Sequence, residues 1–360
     1  MLAGAALSPL LAAPDGATAG PVTTAARANI EVRRLSGNPI IRPDMLPGKD
    51  GDNINGPSLI RVPAWLPNRL GNYYLYFAHH QGQYIRLAYA DKLTGPWKIH
   101  EPGVLSLAEV PACKSHLASP DVLVDEERRE LRMYFHGPSR SGQGQESYVA
   151  RSQDGLHFTA SPEALGRSYF RVFHWRDQWF ALAKGGEAYR SADGVSGFER
   201  GAFVLPGPAP GPDDESPEPH ARHVALHQVG DDLWIYYSNI GDAPERILRS
   251  SLPLVPDWRN WKSGPPEEVL RPETEFEGAK LPVVASRSGA ITARENALRD
   301  PAIFTDTDGR VYLLYSVAGE SGLAIAELVG KPSPKGKEST PLSLPGSEPF
   351  VFRQIGDVEL

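Results

Sequence analysis

The feature that most constrains this chain is a repeat that persists in the order of its elements rather than in its letters. Five times a short apolar run after small or polar residues leads through a polar turn into an aromatic and β-branched run, then into a third run. The opening runs are 56–60, 119–123, 169–173, 222–226 and 300–304. The second runs are 73–77, 131–135, 179–182, 233–237 and 311–315, and the third are 85–90, 147–151, 187–190, 246–250 and 323–328. Aromatic and β-branched residues suit a pleated, half-buried strand. A recurring unit of three or four such strands is a propeller blade. The repeat therefore predicts an all-β chain folded as a single five-bladed β-propeller, with its functional site where the five innermost strands converge. Closing the ring removes exposed sheet edges, and residues 30–35 are the candidate terminal strand for that closure. Helical periodicity is nearly absent, which disfavours a doubly wound α/β fold with its long crossover helices. Two packed β-sandwiches are the competing architecture.

The 35 glycines and 34 prolines agree with many turns. A net charge of -7 without any basic run argues against nucleic acid as a partner. Cys113, the one cysteine, excludes an intramolecular disulfide. Residues 1–19 are rich in Ala and Leu and end in Ala17-Thr18-Ala19, a small-x-small signal-peptidase pattern, although Pro9 and Pro14 interrupt the run and no Lys or Arg precedes it. The expectation is export to the periplasm or beyond. No later run of 18 apolar residues suggests a transmembrane helix, so no membrane partner is expected. The division that follows is a signal peptide or disordered segment at 1–28, a propeller catalytic domain at 29–335, and a C-terminal tail at 336–360 packing on the propeller. Two insertions, 206–219 and 265–298, lead into innermost strands and are expected to line the axial pocket.

The second and third runs of the first unit, Tyr73-Tyr74-Leu75-Tyr76-Phe77 and Ile85-Arg86-Leu87-Ala88-Tyr89-Ala90, are followed by Leu93-Thr94-Gly95-Pro96-Trp97. With Ser119-Pro120-Asp121-Val122 and Arg299-Asp300-Pro301-Ala302, these segments resemble glycoside hydrolase family 43 and related five-bladed furanosidases, over most of residues 37–330. The resemblance implies glycosidic-bond hydrolysis by an Asp base in blade one, an Asp modulator in blade two and a Glu acid in blade three. Asp121 matches the modulator. The other two positions read Asn55-Gly56-Pro57 and Ser168-Tyr169-Phe170-Arg171, without a carboxylate, so the usual two-carboxylate mechanism does not carry over directly.

In a blade the first strand begins and the second ends at the same mouth. First-strand starts place Asn55, Asp121, Tyr169, Arg171, Arg222, His223, Arg299 and Asp300 there; second-strand ends add His79, His80, His136, Lys184 and Asn239, with His116 and His220 close by. Three readings compete for the histidines. One is a divalent metal, calcium or zinc, held by His80, His136 or His223 with Asp121 or Asp300. A second is acid–base work in which His or Tyr replaces the missing Glu. In the third these groups hydrogen-bond sugar hydroxyls or one another. The catalytic candidates are Asp121, Asp300, Glu295, His136, His223 and Tyr169. Those for substrate binding are Asn55, His79, His80, His116, Arg171, Lys184, Arg222 and Arg299, with Trp65 as a candidate sugar-stacking ring. Asp213, Asp214, Glu215 and Glu218 are read mainly as solvated loop charges. The expected function is an exported, exo-acting hydrolase of a furanoside or unusual sugar. The alternatives are a polysaccharide lyase or metal-assisted hydrolase using His or Tyr, and a carbohydrate-binding propeller without catalysis. Carbohydrate is the expected partner; no partner protein is implied.

Overall fold

The computed structural model describes residues 25–142, 144–211 and 219–330. The expected signal-peptidase site, the C-terminal tail at 336–360 and the carboxylates at 213–215 and 218 lie outside the described residues. Each repeat forms one antiparallel sheet in chain order from the inside outward. Blade one comprises Asn55–Arg61, Tyr73–Ala78, Tyr84–Ala90 and Lys98–Ser106. Blade two comprises Ala118–Asp125, Glu130–Pro138 and Gln145–Ser152, and the short Thr159–Ala160 and Gly166–Arg167 both pair with its third strand. Blade three comprises Arg171–Trp175, Gln178–Leu182, Glu187–Ser191 and Glu199–Phe203. Blade four comprises His220–Val229, Asp232–Ile240, Ile247–Pro253 and Glu267–Leu270. Blade five comprises Arg299–Thr305, Val311–Ser316 and Leu323–Gly330, and its outermost strand is Ile30–Arg34 from the N-terminal side, the closure expected of residues 30–35.

Three expectations need correction. Residues 26–28 belong to the propeller and not to the segment before it: Ala26–Arg27 pairs in parallel with Glu267–Leu270, and the Ala28 N–H donates to Glu268 O at 2.8 Å. The insertion expected at 265–298 opens with the outermost of blade four's own sequential strands, so only 271–298 leave the sheet. Blade three's inner strand begins at Arg171, two residues late: Tyr169, at φ 68° in the left-handed region, lies ahead of the first ladder pair, Arg171 with Leu182.

The second strands are buried on both faces, which explains their near-continuous apolar composition. Alternate side chains point to opposite sides of a strand. Tyr73, Leu75 and Phe77 accordingly pack with Phe304, Leu314 and Ile325 of blade five, while Tyr74 and Tyr76 pack with Met133, Phe135 and Phe158 of blade two. Equivalent seams join blade two to three through Tyr134, Phe170 and Tyr189. Blade three joins four through Phe173, Trp175, Tyr237 and Trp261, and four joins five through Tyr236, Leu313 and Tyr315.

Near the start of the innermost strand, blades one, two, four and five each slip register, between Asn55 and Ser58, Ala118 and Asp121, Ala221 and Val224, and Arg299 and Ala302. Gly56, Ser119 and Asp300 take positive φ at three of these bulges, and Tyr169 does so just ahead of blade three. A bulge bends its strand and re-aims a side chain. Non-glycine residues held there cost about 1–3 kcal/mol each, and such strain collects at functional sites.

Candidate active site

The bulges turn an imidazole and a carboxyl toward each other on the axis. His223, from blade four, places Nδ1 2.6 Å from Asp300 Oδ1 of blade five, and the Ser316 hydroxyl donates to Asp300 Oδ2 at 3.2 Å. Both partners are almost fully buried. Burial works against the Asp300 charge, but His223, Arg222 and Arg299 outweigh it and hold the carboxyl well below the usual carboxylate range. Burial likewise lowers His223, more than Asp300 raises it. An ionised Asp300 2.6 Å from Nδ1 of a neutral His223 favours the tautomer with its proton on Nδ1, which leaves Nε2 as the basic nitrogen.

Tyr169 packs against this dyad. Its ring centroid lies 3.6 Å from that of His223 and 4.0 Å from that of His136, which comes from the second strand of blade two. His136 is held well below the ordinary imidazole value, first by burial and then by the neighbouring His116, His223, His80 and Lys184. Lys184 places Nζ 5.5 Å from the Tyr169 ring centroid. Sequence order alone separates these residues widely; the ring of blades brings them together.

A second anion sits at the blade five to blade one seam. Glu320 accepts from Asn53 Nδ2, accepts from Asn55 Nδ2 at 3.1 Å, and lies 3.6 Å from His80 Nδ1. Burial raises its carboxyl, but His80 and then Arg299 more than offset this and keep it below the usual range. Glu245 is the third buried carboxylate. It accepts from Arg222 Nε at 2.8 Å and from the Ser238 hydroxyl at 2.7 Å, and lies 2.8 Å from Arg299 Nη2. Arg222 and Arg299, expected to meet substrate, therefore have their charges matched inside the protein.

Asp121 and Arg171 lie deeper, where both line a cavity of about 110 Å³ on the axis. Burial raises the Asp121 carboxyl against the pull of Arg171. His116 reaches Gln145 Oε1 with Nε2 at 3.2 Å, and His79 Nδ1 accepts from the Gln81 N–H at 3.0 Å. Glu295 extends from the insertion to within 3.3 Å of Arg299 Nη2. That insertion arches over the rim through backbone contacts: Arg287 O accepts from Arg222, and Ile291 O accepts from Asn53. Trp65 is elsewhere, in the loop joining the first two strands of blade one at the opposite end, where its Nε1 donates to Glu126 at 2.6 Å. Among the described residues no group of three or more His, Cys, Asp or Glu side chains gathers as a metal site.

The sequence does not point to Glu245, Glu320 or Asn53 when the mouth is read chiefly from first-strand starts and second-strand ends. The loops from second to third strand open on the same mouth, and in blades four and five each carries a glutamate, at 245 and 320. That was the available signal.

No family model matches the chain. Its sequence is 38% identical over 321 residues to the uncharacterized protein R118 of Acanthamoeba polyphaga mimivirus, covering 82% of this chain and 90% of that protein. Among solved structures it is similar to the GH43_1 enzyme from Xanthomonas citri, with a TM-score of 0.51, 13% identity, and 77% and 87% of the two chains covered. It is equally similar to an N-acetylgalactosamine deacetylase from F. plautii in complex with blood group B trisaccharide, with a TM-score of 0.53, 13% identity, and 82% and 95% covered. At such identity the structural likeness carries the fold, which is the five-bladed propeller of the GH43 enzymes. The sequence likeness carries more: this chain belongs to the family of mimivirus protein R118.

Proposed function

We propose that the protein hydrolyses a glycosidic bond of a furanoside or unusual sugar at the mouth of its propeller, acting from a chain end. The observation that supports this most directly is the His136–Tyr169–His223–Asp300 constellation. Asp300 fixes the tautomer of His223, whose Nε2 takes a proton from an attacking water. The Tyr169 hydroxyl, beside two neutral imidazoles, donates to the departing sugar oxygen in place of the glutamate absent from blade three. Glu320 is a fixed anion near the reacting centre, suited to the positive charge that develops on a sugar ring in such a transition state. Asp121 adjusts the proton affinity of the cluster from below.

The test is a panel of 4-nitrophenyl glycosides, arabinofuranosides and xylosides included, with reducing-end release from polysaccharides. On the polysaccharides, whose departing sugar oxygen needs a proton, Tyr169→Phe should lower kcat/KM by roughly 10²–10⁴-fold, the usual share of general acid–base catalysis; Asp300→Asn should do so on both kinds of substrate, while circular dichroism stays unchanged. Ultraviolet absorbance from a new double bond would instead mark a lyase, and acetate release a deacetylase. Full activity of either variant on the polysaccharides would refute the assigned roles.

A further inference from the structure

The axial cavity beneath the imidazole cluster has apolar residues in its wall, Leu59, Val122 and Ala225 among them, but polar atoms make up more of its lining. Polar side chains reach it from Ser58, Asp121 and Arg171. Arg171 is only 4% exposed, yet its contacts are thin. Nη1 lies 3.4 Å from the Ser119 and Phe170 carbonyl oxygens, Nε lies 3.9 Å from Asp121 Oδ1, and Nη2 is buried without a hydrogen bond. The neighbouring buried arginines differ: Arg222 and Arg299 each stand 2.8 Å from a Glu245 oxygen. A buried charge requires a close counter-charge. Asp121 answers it incompletely, since burial pushes that carboxyl toward its neutral form. Ser58 Oγ accepts the Val122 N–H at 2.8 Å and has its own proton to offer. The cavity exceeds the roughly 30 Å³ that one water occupies in the liquid, so it has room for a single-atom anion.

We propose that this cavity binds a small monovalent anion, chloride in ordinary solution, held by the Arg171 guanidinium and the Ser58 hydroxyl beside the Asp121 carboxyl. The anion completes the charge balance of Arg171 and screens it from His223, whose protonation Arg171 opposes. Binding is independent of any substrate, so the inference stands or falls apart from the proposed hydrolysis.

Crystals of the full chain soaked in sodium bromide should show an anomalous bromine peak in the axial cavity, within hydrogen-bond reach of Arg171. In solution the thermal midpoint should rise with chloride or bromide and saturate, at ionic strength held constant with sodium gluconate. Arg171→Gln should abolish that dependence. Should that variant fail to fold, Ser58→Ala should weaken halide affinity several-fold, and the bromide map on the unmodified protein still decides. A cavity that refines as water in bromide, or a midpoint that follows ionic strength alone, overturns the proposal.

Discussion

Replacing Glu245 by Gln removes the charge that two buried arginines share. Both carboxylate oxygens are engaged: Oε1 accepts from Arg222 Nε and Ser238, while Oε2 accepts from Arg222 Nη2 at 3.3 Å and faces Arg299 Nη2. An amide keeps one acceptor and turns an NH₂ toward guanidinium donors, so at least one donor faces another. Arg222 would keep the Arg287 carbonyl at 2.6 Å and at most an amide oxygen at position 245, dipoles in place of its close counter-charge. Arg299 would keep Glu295 at 3.3 Å and Glu320 at 3.4 Å, both more distant than Glu245 at 2.8 Å. Breaking a buried pair from one side costs about 3–5 kcal/mol, and the surviving partners of Arg299 place the expected loss near the lower end, about 3 kcal/mol. The assay is urea denaturation followed by tryptophan fluorescence. Arg222→Met in the same chain removes the stranded charge, so the double variant should lose clearly less than the sum of the singles, with a coupling of about 1 kcal/mol or more. A single-variant loss under about 1 kcal/mol would show that the hub does not hold the site together.

Other consequences are as direct. Burial opposes the Asp306 charge, but Arg61 and Tyr73 outweigh it and bring the carboxyl to about 2. The ordinary value is about 3.9, so this stabilisation is present above that pH and is lost as pH falls toward 2. The stability difference between wild type and Asp306→Asn should therefore shrink over that window in acid unfolding curves, and a constant difference would contradict the pairing. Gly56→Ala should destabilise by more than the ~1 kcal/mol of a simple positive-φ substitution, because the new Cβ would lie 2.8 Å from the Ser119 Cα of the next blade at φ 57°; calorimetry reads the shift. Burial pushes the Cys113 thiol up to about 11. Iodoacetamide at neutral pH should leave it unmodified in the native protein and label it in urea, whereas fast native labelling would show that the blade-two rim opens.

The fold was largely legible because its dominant signal is local. Tyr73-Tyr74-Leu75-Tyr76-Phe77 is apolar on both faces, and only an element packed on both sides can use such a run; the blade seams on either side are the result. The inner strands were placed less accurately, since the left-handed turns at Tyr169 and Asp300 depend on neighbours from other blades. The site divides in the same way. Asp300 and His223 were expected at the mouth, and the structure places them 2.6 Å apart, a contact between residues on different blades that spacing does not reveal. Glu245 and Glu320 sit in loops without periodicity. Arg222 and Arg299 looked available for substrate because their partner lies in the loop that the strand pattern leaves undescribed.

The closure of blade five by Ile30–Arg34 orders events in time as well as in space. Asn38, which follows that strand, donates to the carbonyl of Ile325, 287 residues away. At roughly 5–20 residues per second of synthesis, this strand waits about 15–60 s before its partner exists. Throughout that interval the nascent protein is an open arc whose early ribbon is unpaired, and the ring becomes a ring only once residues 323–330 have been made.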